Sequence, residues 1–87
     1  MTKQQQNEIK KQIENECGFK KEFITILECS GKSYLTDKYD YVMFEVKGVQ
    51  YQYRWHFVDD TAELIHYDEE TGHTTVLFLK NKAERDG

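Results

Sequence analysis

The stretch YVMFEVKGVQYQYRWHF, residues 41–57, decides the fold. Its centre, Lys47-Gly48, fits a two-residue hairpin turn, because glycine supplies the positive φ that such a turn requires. Pairing Val46 with Val49 fixes the register and puts the large apolar side chains of both strands on one face. That face contains Val42, Phe44, Val46, Val49, Tyr51, Tyr53, Trp55 and Phe57. The stretch therefore predicts an antiparallel hairpin with one face in a hydrophobic core.

The opposite face of this hairpin is amphipathic. It is predicted to carry Tyr39, Tyr41, Met43, Glu45, Gln50, Gln52, Arg54 and His56. Tyrosine, methionine and arginine are enriched at protein interfaces, and a symmetric dimer is the commonest way for a small domain to bury such a patch. We therefore predict a homodimer through Tyr39, Tyr41, Met43, Arg54 and His56. A solvated face on a monomer is the alternative.

The amino-terminal segment predicts a helix over residues 3–17. Ile9, Ile13 and Cys17 recur at four-residue spacing among polar residues. Thr2 is suited to cap the first turn, and Gly18 is suited to end the last one.

Residues 22–29 predict the first strand, because the run from Phe23 to Leu27 is rich in β-branched and apolar residues. Its apolar side chains fall on both faces. We therefore expect the helix on one face of this strand and a loop or a partner on the other.

A second hairpin is predicted from strands at 62–67 and 74–80, joined by a loop in which Gly72 marks a left-handed position. A short helix over 60–67 is the alternative, because Asp60 and Glu63 have the spacing of a capping box. The β-branched and aromatic residues of this segment favour the strand.

Together these elements predict an α+β fold, in which the amino-terminal helix packs on an antiparallel sheet of about five strands. The strands of the central hairpin are expected at 39–46 and 49–58, and residues 81–87 as a frayed tail. A chain of 87 residues and 10.4 kDa is long enough for one domain and hardly more, so we predict a single domain spanning 1–87.

Cysteine usage and the amino terminus bear on the compartment. Cys17 and Cys29 lie in apolar surroundings without the spacing of a disulfide framework or a metal site. Residues 1–12 contain no signal-peptide core, and the longest apolar runs are too short to cross a membrane. We expect a reduced, cytoplasmic protein without a membrane partner.

The net charge of −4 is distributed unevenly. Residues 1–38 contain seven lysines and six acids, a sum of +1, whereas residues 39–87 contain five Lys or Arg and ten acids, a sum of −5. Within residues 59–70 there are six acids and no Lys or Arg. The acids are Asp59, Asp60, Glu63, Asp68, Glu69 and Glu70. In the predicted hairpin the aspartates of the turn lie at one end of a strand and the acids of the loop at the other.

We predict that these six acids bind a basic, nucleic-acid-binding protein, because complementary charge accelerates encounter and rejects wrong partners. Acidic turns that are merely solvated are the alternative.

Direct binding to nucleic acid is disfavoured. A net negative charge opposes attraction to a polyanion. The aromatic stripe of Tyr51, Tyr53, Trp55 and Phe57 has mostly neutral or acidic neighbours, unlike a base-stacking platform. Because the helix needs an apolar surface to cover, we predict that this stripe lies in the core.

No catalytic or metal-binding pattern stands out. His66, Asp68, Glu70 and His73 cluster in sequence, but their spacing matches no metal-ligand motif. The chain also lacks a nucleophile elbow and a glycine-rich phosphate loop. We expect no enzyme, no metal and no cofactor; the alternative is a small toxin-like or hydrolytic enzyme that uses His56, His66 or His73.

In overall character the chain is short, acidic, aromatic-rich and proline-free, with a Lys- and Gln-rich start. It resembles the small host-takeover proteins of phages that infect Gram-positive bacteria. Some of these inhibit a host DNA-binding protein, such as a histone-like nucleoid protein, by occupying its basic DNA site. The resemblance implies an inhibitor that acts as a DNA mimic in the host cytoplasm, and it assigns no site residue. The stretch from Tyr51 to Tyr67 also looks like part of small toxin-like proteins of toxin-antitoxin pairs, without their further histidine-rich segment.

Overall fold

The fold is seen in a computed structural model that describes residues 2–32, 37–56, 58–68 and 70–80. Residues 78–80 are described by their backbone alone. Its elements are α1 (Lys3–Cys17), a 3-10 turn (Lys21–Phe23), β1 (Ile24–Cys29), β2 (Tyr41–Val46), β3 (Val49–His56), β4 (Thr61–Tyr67) and β5 (Thr74–Lys80). The strands form one antiparallel sheet in the order β1-β2-β3-β4-β5, and α1 packs on one face. The predicted α+β fold class is confirmed. Phe57 and the predicted tail, 81–87, lie outside the described residues.

The central hairpin has the predicted register, with the pairs Val46–Val49, Phe44–Tyr51 and Val42–Tyr53. Both turn residues have positive φ, 51° at Lys47 and 82° at Gly48. This is the primed turn geometry, whose twist matches that of the flanking strands. Val49 lies at the rim of the core face, where its side chain is 37% exposed.

Residues 61–67 form a strand and not the alternative helix. β4 places Leu64 in the core, where it is 3% exposed. Asp60 precedes the strand with a left-handed φ of 51°, whereas a helix N-cap is typically extended. The capping-box spacing of Asp60 and Glu63 is therefore not used.

Helix α1 is held at its ends by local contacts and along its length by burial. Thr2 Oγ1 accepts the Gln5 N–H at 3.1 Å, and Gln5 Oε1 accepts the Thr2 N–H at 3.0 Å, which completes a capping box. The helix ends at Gly18, whose φ is 85°. Ile9 and Ile13 are fully buried, and burying each contributes about 1.5–3 kcal/mol.

The core lies between α1 and the sheet. Its buried residues are Ile9, Ile13, Ile24, Tyr39, Val42, Phe44, Val46, Tyr53, Trp55, Ala62 and Leu64. Tyr53 and Trp55 of the aromatic stripe therefore pack in the core as predicted, and Tyr51 lies partly buried at its edge. A β-bulge between Ile26 and Glu28 leaves Leu27 46% exposed, away from this core.

The prediction that Tyr39 lies on the opposite face of the hairpin is wrong. Tyr39 belongs to the core and is 5% exposed. The strand β2 begins only at Tyr41 and a bend at Asp40 precedes it, so the alternation of faces does not extend back to Tyr39. The Gln12 side chain clamps the Tyr39 backbone, donating to its carbonyl at 2.8 Å and accepting from its N–H at 3.1 Å. Burial raises the pKa of the Tyr39 phenol.

Candidate functional site

Four of the six predicted acidic residues lie at the two ends of β4. Asp59 and Asp60 precede the strand at Thr61, and Asp68 and Glu70 follow it at Tyr67. A strand of seven residues separates them by roughly 20 Å at about 3.3 Å per residue. Glu69 lies outside the described residues. The acids therefore form two separate groups.

Asp60 has a structural role in the turn between β3 and β4. Its Oδ1 accepts the indole N–H of Trp55 at 3.0 Å. Trp55 is 7% exposed, so this bond satisfies a polar group at the edge of the core. Asp59, by contrast, is exposed. At this end of β4, Asp59 is therefore available to solvent, whereas Asp60 stabilises the turn.

The other end of β4 has a concentrated acidic surface. A depression of about 390 Å³ is lined by Glu45, Gly48, Val49, Gln50, His66, Tyr67, Asp68 and Glu70. We call it the acidic depression. Among the described residues that line it, three are carboxylates and none is lysine or arginine.

Several hydrogen bonds in the loop that follows β4 converge on Asp68. Its Oδ1 accepts the Glu70 N–H at 3.0 Å, and its backbone bonds to His73 at 3.0 Å and to Gly72 at 2.8 Å. Gly72 has the predicted positive φ, 74°. These bonds hold Asp68 in place at the acidic depression, while the side chain of Glu70 is exposed.

Glu45 is a member of the acidic depression that the sequence did not single out. It lies on β2, far in sequence from Asp68 and Glu70, and pairs with Gln50 across the central hairpin. The pairs of β3 with β4 then bring this end of the hairpin beside Tyr67. The predicted register of the central hairpin gives the pair of Glu45 with Gln50, but the pairing of β3 with β4 that completes the neighbourhood was not predicted.

Two of the three glutamates of α1 form ion pairs with lysines. Glu8 Oε2 lies 2.7 Å from Lys32 Nζ, and Glu16 Oε1 lies 2.7 Å from Lys38 Nζ. The hydrogen bond to Glu8 raises the pKa of Lys32. The negative charge of the molecule is therefore concentrated away from the helix.

Glu63 lies apart from the other predicted acids, on the sheet face opposite α1, which we call the outer face. It pairs with Arg54, and its Oε1 lies 3.5 Å from His56 Nε2. Because basic groups surround it, Glu63 adds less negative potential than its charge suggests.

The outer face brings together four of the five residues predicted for self-association. Tyr41 pairs with Arg54 across the central hairpin, Met43 is two residues along β2, and His56 is two residues along β3. The sequence did not single out Ile65, which alternates onto this face next to Gln52 and is 6% exposed. A row of apolar and amide groups therefore crosses the middle of this face.

The histidines are not assembled into one centre. His56 pairs with Thr61 while His66 pairs with Tyr51, a displacement of five strand positions, or roughly 17 Å. The His66 ring lies against Tyr51, with centroids 5.8 Å apart, and His73 is in the loop after β4. In the part of the chain that the structure describes, no three metal-binding side chains form a group.

Both cysteines are thiols, and both are half-buried. Burial raises the pKa of the Cys29 thiol, and a thiol that keeps its proton is a poor nucleophile.

Comparison with protein-family models, curated proteins and solved structures finds no match for this chain. Among the described residues, no helix has the length and apolar character needed to cross a membrane.

Proposed function

We propose that the protein is a non-enzymatic binding protein that presents the acidic depression to a basic, nucleic-acid-binding protein and occupies the surface that would otherwise hold phosphate groups. The observation that carries the proposal is the convergence of Glu45, Asp68 and Glu70 on one depression without lysine or arginine among its described lining residues. Carboxylates placed together attract a cationic partner more strongly than scattered ones.

The resemblance to phage host-takeover proteins supports the same proposal and narrows the partner. A histone-like nucleoid protein or another DNA-binding protein of the host has the required basic surface. The protein would then act in the host cytoplasm as an inhibitor and DNA mimic. Exposed carboxylates such as Glu70 would make most contacts, and Asp60 would act through the shape of its turn.

Self-association through the outer face is a second part of the proposal. Tyr41, Met43, Arg54 and His56 share this face, on which Arg54 and Glu63 provide opposite charges. A two-fold axis would let each charge meet its opposite on the second copy. Such a dimer would present two acidic depressions to a two-fold partner.

A pull-down from a bacterial lysate tests the acidic depression. The bait is the full chain, washed at about 50 mM and about 500 mM salt, because screening weakens exposed charge pairs. We expect basic DNA-binding proteins to be retained at low salt and released at high salt. Asp68→Asn with Glu70→Gln should sharply reduce retention, because both charges are lost. Asparagine can still accept the Glu70 N–H, so the loop keeps this hydrogen bond.

The matched control is Glu22→Gln with Glu28→Gln. It removes the same charge from exposed positions on the 3-10 turn and on β1, three strands from β4. This control should retain the partner. Equal loss in both double variants, or retention of neutral partners regardless of salt, would contradict the proposal.

A further inference from the structure

A second concave surface lies at the same end of the sheet as the acidic depression, on the side of α1. It is a groove of about 500 Å³ between the residues that follow α1 and the central hairpin. Its lining consists of Gly18, Phe19, Lys20, Phe23, Val46, Lys47, Val49 and Tyr51. We call it the lysine-rimmed groove.

The lysine-rimmed groove is apolar and partly open to solvent. The Phe19 and Tyr51 rings lie against each other, with centroids 4.9 Å apart. Phe23 is 45% exposed and Val49 is 37% exposed, so large apolar side chains remain in contact with water. Concave surfaces lined by aromatic and aliphatic side chains are typical of binding sites.

The charge at the rim is positive. Lys20 and Lys47 are both exposed, and no carboxylate is present among the described residues of the lining. Lys47 Nζ lies 4.8 Å from the centroid of the Phe23 ring, which holds the ammonium group over the groove wall. The occupant that fits this chemistry has an apolar side chain next to a negative charge.

The groove and the acidic depression are neighbours, because Val49 lines both. A single protein that covers this end of the sheet would therefore contact both surfaces. Charge complementarity chiefly raises the association rate, whereas buried aromatic and aliphatic anchors slow dissociation. The acidic depression alone would give fast but short-lived binding.

We propose that the lysine-rimmed groove is the anchor site for the partner, and that it takes an apolar side chain of the partner together with an adjacent carboxylate. This inference rests on the proposed function, because it concerns the same partner. The basic patch of that partner would meet the acidic depression, and an adjacent segment with an apolar side chain and a carboxylate would enter the groove. The opposite charges of the two surfaces would also fix the orientation in which that partner docks.

Anilinonaphthalene sulfonate is a suitable probe, since it combines aromatic rings with one negative charge. We expect its addition to the isotope-labelled full chain to cause saturable NMR shifts in the amides of Phe19, Phe23, Lys47, Val49 and Tyr51. Shifts spread over other surfaces, or no saturation, would overturn the inference.

Charge reversal tests the rim. Lys20→Glu with Lys47→Glu should weaken binding of the probe about tenfold or more, through repulsion of the sulfonate. The matched control is Lys3→Glu with Lys11→Glu, which changes the same charge at exposed positions of α1. The control should bind the probe normally, and equal weakening in both would overturn the inference. Unchanged thermal melting confirms that each variant is folded.

Phe23→Ala separates the anchor from the acidic depression, because Phe23 lines the lysine-rimmed groove but not the depression. With the captured partner we expect a several-fold faster dissociation rate and an unchanged association rate, whereas Asp68→Asn with Glu70→Gln slows association. If the acidic variant loses the partner but Phe23→Ala and the lysine reversal dissociate normally, the anchor is wrong and the proposed function stands. If the partner binds independently of the acids, the proposed function itself fails.

Discussion

The contact between Asp60 and Trp55 makes the two adjacent aspartates behave differently. Asp60→Ala removes the acceptor of the buried indole N–H, which costs about 1–3 kcal/mol. It also places alanine at a φ of 51°, which adds about 1–2 kcal/mol. We expect a total loss of about 3 kcal/mol in the free energy of unfolding.

Two comparison variants isolate the causes. Asp60→Asn keeps an oxygen acceptor and tolerates the left-handed conformation, so it should cost only about 1 kcal/mol. Asp59→Ala changes an exposed side chain and should stay within about 0.5 kcal/mol of the parent chain.

Urea unfolding followed by fluorescence measures all three, because Trp55 is the single tryptophan of the chain. With a slope of about 1.5 kcal/mol per molar urea, Asp60→Ala should lower the midpoint by roughly 2 M. A midpoint equal to that of Asp59→Ala would refute a structural role for Asp60 and return this residue to the set of acids available to a partner.

Three further predictions concern the core, the thiol and the outer face. Ile13→Ala should lower the free energy of unfolding by about 2–5 kcal/mol, whereas the exposed change Gln4→Ala should alter it by less than about 0.5 kcal/mol in the same urea assay. In a Cys17→Ser chain, Cys29 should react with iodoacetamide at about pH 8.5 more slowly when folded than in urea, because burial raises the pKa of its thiol; equal rates would contradict this prediction. The contribution of this raised pKa to the free energy of unfolding is present below the pKa of the unfolded thiol and falls as the pH rises above it. Sedimentation equilibrium should give a mass approaching twice 10.4 kDa, and Tyr41→Glu should return the mass to the monomer value. A monomer mass at all concentrations excludes the dimer, and a dimer that survives Tyr41→Glu uses another surface.

The fold was predictable where a local pattern carries it. Gly48 fixes the turn of the central hairpin, and alternation then gives the pairs on both sides without further information. The spacing of Ile9 and Ile13 identifies the face of α1 that is buried. In these cases each signal lies within a few residues of the structure that it specifies.

The wrong placement of Tyr39, and the features that the sequence did not reveal, depend on distant residues or on one backbone angle. A single bend at Asp40 transfers Tyr39 from the outer face to the core, and the contacts that hold it there come from Gln12 on α1. The role of Asp60 depends on its positive φ and on the position of Trp55. The lysine-rimmed groove combines segments from both sides of β1, so no sequence window contains it.

The strand order has a consequence for how the chain is made. Each strand of the sheet pairs with the next strand along the chain, and the central pair is joined by only two residues. Short connections lose little entropy on closure, and neighbour-to-neighbour pairing is associated with fast folding. The helix precedes every described strand in the chain, and its buried face can be covered as soon as the central hairpin forms. The strands are therefore synthesised in the same order in which they lie in the sheet. Each strand after the first can pair with a neighbour that has already been synthesised.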